Sequence, residues 1–321
     1  MTVTSEKKHG PPPHQKSLAD FSSIKFSEDQ GTFLEKKRAQ NKKAKSIVDV
    51  PRPVMKWAGG KRQLLEQLDS YIPKTFNKYI EPFVGGGAMF FYLLPEKAIL
   101  IDINPDLINI YTVIKNNVQE LIESLLQHKN DSEYYYTIRD VDRDKEVFSK
   151  WSDVEKASRN IYMNHTCFNG LYRVNSKGFF NVPFGDYKNP LICDEENLLA
   201  VHEALENVEL HVGSFEMCLD FAETGDFIYF DPPYVPVSQS ANFTSYTKEN
   251  FGRNDQYKLF EVFKELDARG CKMLLSNSHS EFIIDLFKEY RVETLMANRA
   301  INSDGSKRGK IKEVLILNNF E

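Results

Sequence analysis

From about Pro53 onward, short apolar segments alternate with amphipathic ones, an order that predicts strands leading into helices. Glu81-Pro-Phe-Val84 runs into Gly85-Gly86-Gly87, a helix-like stretch follows to about Leu94, and Ala98-Ile-Leu-Ile101 ends in Asp102. That is a βαβ unit. Helices are expected over 106–128 and 151–165, and a polar, aromatic, glycine-containing hairpin over 168–190. The alternation then resumes: strands at 209–212 and 226–230, a helix near 254–269, a strand at 272–276, a helix near 280–289, and strands at 291–297 and 312–318. The order predicts an α/β fold, a doubly wound Rossmann-like sheet interrupted by a helical and hairpin insert.

Residues 1–50 do not share this pattern. They carry Pro11-Pro12-Pro13, scattered serines and a basic run from Lys36 to Lys45, with too little apolar content for a core. A solvated basic tail is the expectation, and a nonspecific phosphate-binding arm is the sharper alternative. The tail holds 10 Lys/Arg against 6 Asp/Glu, while the remainder holds 31 against 40. With a formal net charge of -5 overall, a wholesale basic coat is excluded, and any nucleic-acid contact must be a local patch on an acidic body.

Composition narrows the class further. A chain of 321 residues with 41% hydrophobic content can bury a sizeable core. No run of about 18 apolar residues and no hydrophobic signal core is found, which disfavours membrane insertion and secretion and makes a cytoplasmic location the expectation. Cys167, Cys193, Cys218 and Cys271 are far apart, so neither a zinc site nor a disulfide framework is implied.

The candidate chemistry centres on Asp231-Pro232-Pro233-Tyr234. It follows the apolar run ending at Phe230, which reads as a buried parallel strand stopping at the sheet edge where such folds place ligands. An amino group conjugated to a purine or pyrimidine is a poor nucleophile because its lone pair is delocalised. The Asp231 carboxylate and the Pro232 carbonyl can each accept one N–H of such a group and turn its lone pair toward an incoming methyl. Tyr234 adds a flat face for an extruded base. Taken alone, the tetrapeptide also fits an Asp-Pro turn closing a strand.

A second group lies upstream. Gly85-Gly86-Gly87 lets a ligand approach the backbone, and Asp102 at the next strand end can accept from both hydroxyls of a ribose. A plain tight turn is the alternative. The dinucleotide fingerprint fails because Phe90 occupies its third glycine position, and Gly59-Gly60-Lys61-Arg62 lacks the first glycine and the Ser/Thr of a phosphate loop.

The chain resembles the Dam-type (D12 class) DNA adenine-N6 methyltransferases. The resemblance runs in order through Met55-Lys-Trp-Ala-Gly-Gly-Lys61, Glu81-Pro-Phe-Val-Gly-Gly-Gly87, Asp102-Ile-Asn104, Phe168-Asn-Gly-Leu-Tyr-Arg-Val-Asn175, Phe180-Asn-Val-Pro-Phe-Gly185, Asp231-Pro-Pro-Tyr234 and Asn242-Phe-Thr-Ser-Tyr246, covering about residues 54–318. It implies transfer of a methyl group from S-adenosylmethionine to N6 of a flipped adenine in double-stranded DNA, without a metal, and with GATC as the favoured target. Residues 51–105 and 206–321 would form the catalytic domain and 106–205 an inserted recognition domain.

By the same resemblance, Asp231, Pro232, Pro233 and Tyr234 form the catalytic pocket, aided by Tyr246. Trp57, Lys61, Phe83, Gly85, Gly87, Asp102, Ser214, Phe215 and also Asp231 line the cofactor, with Lys61 meeting the methionine carboxylate. Lys56, Phe168, Asn169, Leu171, Arg173, Asn175, Pro183, Tyr187 and Arg308 contact DNA. Among these, Arg173 suits guanine O6 and N7, while Leu171 and Pro183 suit a thymine methyl. Asp186 is a departure, because some relatives carry a basic residue there. The rivals are an RNA or protein-glutamine methyltransferase, a catalytically silent DNA-binding relative, and a Rossmann dehydrogenase.

Overall fold

The computed structural model describes residues 51–57, 59–61, 64–234, 251–298 and 310–320. The tail over 1–50 and the Tyr246 and Arg308 assignments lie outside the described residues. Among the described residues, seven strands form one sheet: β1 (Tyr79–Glu81), β2 (Ala98–Asp102), β3 (Val208–Val212), β4 (Phe227–Phe230), β5 (Lys272–Ser278), β6 (Arg291–Asn298) and β7 (Lys310–Leu317), in the order β3-β2-β1-β4-β5-β7-β6. The first five are parallel, and β7 inserts antiparallel between β5 and β6. Helices of six residues or more among the described residues are α1 (Ala88–Leu93), α2 (Pro105–Leu125), α3 (Ser132–Asp140), α4 (Asp153–Thr166), α5 (Glu195–Ala204), α6 (Arg253–Ala268) and α7 (Glu281–Leu286).

Period-two side-chain alternation explains why the strands read as continuous apolar runs, since both faces of the sheet are covered. Tyr79, Leu100, Phe227, Tyr229 and Leu274 pack with residues of α1, α2 and α4, while Ile80, Ile99, Ile101, Ile228, Phe230 and Leu275 pack with α6 and α7. All four residues of β4 are buried. Emptying such a position, for example Phe230→Ala, removes about 3–5 kcal/mol of stability.

The sequence-derived boundaries hold for most elements, with three differences. First, β1 is Tyr79–Glu81 and not 81–84, because Pro82 has no N–H for the ladder. Second, the expected hairpin is no regular ladder: a 3-10 turn spans Phe168–Gly170, and only the isolated bridges Cys167↔Phe184 and Val174↔Phe180 follow. Asn169, Gly170, Gly178 and Asp186 all have positive φ, which bends the segment out of strand geometry. Third, α3 and α5 were not anticipated; α3 fully buries only Tyr135, and so lacks a strong apolar stripe.

Candidate active site

Parallel pairing sends β1, β2 and β4 to the same edge, so Glu81, Asp102 and Asp231 end up side by side there. Strand order reverses between β1 and β4, the place at which open α/β sheets take their ligands. Because β7 runs antiparallel, its first half starts at the same edge, with Glu313 registered against Ser278, the last residue of β5.

On the β1–β2 side the glycine turn is tied to an acid. Asp102 accepts the Gly85 N–H at 3.0 Å on Oδ2 and the Asn104 N–H at 2.9 Å on Oδ1, and burial raises its carboxyl above the usual range. Gly85 and Gly87 sit at φ +47° and +66°. A Cβ at Gly85 would lie 2.9 Å from the Trp57 ring, so the turn needs glycine for both conformation and space. Trp57 also stacks on Tyr172 at 5.3 Å, and the Tyr172 hydroxyl donates to Asp106 at 2.7 Å. Nearby, Phe83 stacks on Phe215 at 5.3 Å, and Phe251 meets both rings edge-on. Ser214 caps the short turn at Phe215 and donates to Glu216 at 2.9 Å. An adenosine-bearing ligand fits this cradle: a hydrogen-bond-fixed carboxylate, backbone without side chains, and an aromatic wall.

On the β4 side, four side chains form one network. Lys61 Nζ lies 3.0 Å from Asp231 Oδ1 and 3.3 Å from Glu313 Oε2, donates to the Tyr234 hydroxyl, and sits 4.3 Å from the Tyr234 ring centre. The Tyr234 hydroxyl donates to Glu313 Oε2 at 2.7 Å. Lys61 is 5% exposed and the Asp231 side chain 20%. Burial pushes the Asp231 carboxyl up to about 6; Lys61 opposes the rise and Glu313 adds to it. Burial also disfavours the Lys61 ammonium, but the two carboxylates outweigh it and hold the lysine protonated above its ordinary range. Glu81 is a different case. Burial raises its carboxyl well above the carboxylate range, although the Tyr79 hydroxyl donates to it at 2.9 Å, and the nearby Asp231 adds to the rise.

The residues expected to touch DNA are brought together in part. Phe168 is 52% exposed and Asn169 is held at φ +59° beside it. The Arg173 guanidinium donates to Asn181 Oδ1 at 2.7 Å and to the Asn181 carbonyl at 3.3 Å, which fixes its plane. Asn175 Oδ1 instead accepts the Lys177 and Phe179 N–H groups and braces its own turn. Leu171 is partly buried, Pro183 is exposed and its carbonyl accepts the Phe168 N–H, and Lys56 Nζ lies 5.0 Å from the Tyr187 ring centre.

Sequence reasoning passed over several residues. Glu313 is one, and its signal was a lone acid opening the apolar run Glu313-Val-Leu-Ile-Leu317. Ile103, 51% exposed directly after Asp102, offers an apolar face at the cradle. Asn164 is fully buried, accepts the Lys56 N–H at 2.8 Å, and donates to the carbonyls of Lys56 and Gly170. Nothing in a single asparagine codon neighbourhood announces such a clip. Among the described residues, no cluster of three or more His, Cys, Asp or Glu could hold a metal, and no helix is long and apolar enough to cross a membrane.

Residues 57–301 match the family described as D12 class N6 adenine-specific DNA methyltransferase. The chain is 46% identical over 271 residues to the Type II methyltransferase M1.LlaDCHI of Lactococcus lactis subsp. cremoris, covering 83% of this chain and 95% of that protein. It is 44% identical over 287 residues to the Type II methyltransferase M.MjaIII of Methanocaldococcus jannaschii, covering 83% and 99%. It is 34% identical over 271 residues to the DNA adenine methylase of Escherichia coli K12, covering 83% and 95%. The chain belongs to the D12 class of N6 adenine-specific DNA methyltransferases, and S-adenosylmethionine is its methyl donor.

Proposed function

We propose that this adenine-N6 methyltransferase acts on double-stranded DNA within GATC, in the cytoplasm, on an adenine turned out of the helix. The observation that carries the reading is Asp231, partly open at the end of β4, on the same sheet edge as the Asp102 and Gly85 cradle after β1 and β2. S-adenosylmethionine brings a methyl group on a sulfonium, already a good leaving group, so the protein's work is alignment and exclusion of water. Asp102 and the glycine turn hold the ribose side, Trp57 and the Phe83–Phe215 pair cover the apolar parts, and Ser214 flanks the adenine end, while the Lys61 ammonium is engaged by Asp231, Glu313 and Tyr234 rather than held free for the methionine carboxylate.

Asp231 and the Pro232 carbonyl accept the two N6 hydrogens, while Tyr234 stacks on the base and Pro233 stiffens the turn. A paired adenine cannot reach Asp231, and extruding it costs about a few kcal/mol. Phe168, exposed at the turn, enters the stack beside the vacated position with Asn169. Arg173, its plane set by Asn181, reads guanine O6 and N7, and Lys56 reads the first guanine. Leu171 and Pro183 meet the thymine methyl, with Asn175, Tyr187 and Arg308 as outer contacts. In this reading residues 106–205 serve recognition, and residues 51–105 and 206–321 serve catalysis.

The test uses duplexes that differ only at GATC, with the modified base located by mass spectrometry. N6-methyladenine confined to GATC duplexes is expected. Methylation of another short target would reject the sequence preference, and no adenine methylation on any duplex would reject the whole reading.

A further inference from the structure

We propose that Glu313 is a positioning residue for methyl transfer, fixing the Tyr234 ring through its hydroxyl and drawing part of the Lys61 ammonium away from Asp231. The inference rests on the roles just given to Asp231 and Tyr234. Glu313 is 7% exposed and opens the buried stretch Val314–Leu317 on β7. A carboxylate taken out of water is stabilised only by pairing and hydrogen bonds, and a buried ion pair is often replaced by apolar side chains with no loss of stability. Packing alone therefore gives no reason for an acid here, and both partners of Glu313 belong to the pocket.

The arithmetic of charge points the same way. One ammonium meets two carboxylates, since Lys61 Nζ lies 3.0 Å from Asp231 and 3.3 Å from Glu313. With Asp231 as its only acid, Lys61 would spend its donors on the oxygens that must accept the amino group of adenine. Sharing the ammonium leaves Asp231 more accepting capacity. Sharing the Tyr234 hydroxyl, at 2.7 Å, locks the plane of the ring that a base would stack on. The groups facing Asp231 are Lys61 from the segment before α1, Glu313 from β7, Tyr234 from its own loop, Tyr229 from β4, and Tyr79 and Glu81 from β1. Among them Glu313 is the acid that directly contacts Lys61 besides Asp231.

The experiment compares the full chain with Glu313→Gln, Glu313→Asp and Asp231→Ala, following single-turnover methylation of a GATC duplex by S-adenosylmethionine from pH 5 to 8. Thermal unfolding serves as the control for folding. Glu313→Gln is expected to lose about 10- to 100-fold in rate, the scale set by small misplacements of reacting groups. KM for S-adenosylmethionine should change far less. Its acid limb should move to lower pH, because a negative neighbour of Asp231 is gone and Lys61 turns fully to Asp231; a purely structural role would leave that limb in place.

Glu313→Asp keeps the charge with a shorter reach, so a reduced rate with the acid limb unmoved is expected, and this variant decides the matter if Glu313→Gln does not fold. A folded Glu313→Gln with the wild-type rate and acid limb would overturn the proposal, as would a wild-type rate in Glu313→Asp. Loss of activity in Asp231→Ala anchors the comparison. If Asp231→Ala stays active, the pocket assignment itself fails, whereas an inactive Asp231→Ala beside a wild-type Glu313→Gln removes only the role of Glu313.

Discussion

At the scale of single residues, Gly85 and Asp231 carry the sharpest consequences. Gly85→Ala would force a left-handed backbone onto an L residue and bring its Cβ to 2.9 Å from the Trp57 ring. The expected result is about a 5- to 150-fold loss in S-adenosylmethionine affinity, read by titration calorimetry, on the basis of about 1–3 kcal/mol of strain. Asp231 sets a pH limit. Its carboxyl is raised to about 6, so above that value it is ionised and, in the proposed role, can accept hydrogens from the amino group. Below it the protonated acid loses that capacity, and the single-turnover rate is expected to fall tenfold per pH unit; a rate flat down to pH 5 would contradict this. Asp231, Asp102 and the glycines were legible because their chemistry is written in neighbouring residues. The Lys61–Glu313 pair was not, because its two members lie at opposite ends of the described chain and meet only once β7 is in place.

At the scale of elements, the stretch around Arg52 and Lys56, before β1, is held by side-chain amides and not by a strand partner. Asn164 on α4 binds both backbone groups of Lys56, and Asn197 on α5 does the same for Arg52, at 2.9 and 3.0 Å. Each asparagine imitates one rung of a sheet. The Lys56 rung also joins the Gly170 carbonyl, so a single amide couples two stretches assigned to DNA reading. Asn164→Ala is expected to cost about 1–3 kcal/mol in urea denaturation, the scale for buried groups left unpaired. It should also relax discrimination between GATC and near-cognate duplexes while S-adenosylmethionine affinity holds. The strands around β4 were legible from apolar runs, which report burial on both faces. The 168–190 segment and the amide clips were not, since positive φ and long-range amide pairing leave no period in a sequence.

At the scale of the whole molecule, charge decides how DNA is held. With 31 basic against 40 acidic residues beyond position 50, affinity must come from a few local contacts. The body alone should therefore show a shallow dependence of log K on log salt. If residues 1–50 are a solvated appendage, deleting them leaves that slope unchanged in a nonspecific duplex titration, and a slope reduced by several would instead make them a phosphate-binding arm. The doubly wound sheet was legible from element order, but its closure was not, because apolar runs do not say which strand turns antiparallel.

That antiparallel closure has a consequence for how the enzyme comes into being. β7 is the last strand among the described residues, yet it inserts between β5 and β6, and it delivers Glu313 to Lys61, near the first described residues. A nascent chain that has not yet released β7 from the ribosome leaves the edge of β5 bare and Lys61 with one acid in place of two. The order of synthesis and the order of strands therefore differ: the glycine turn and the Asp-Pro-Pro-Tyr turn precede in the chain the acid that completes the Lys61 network.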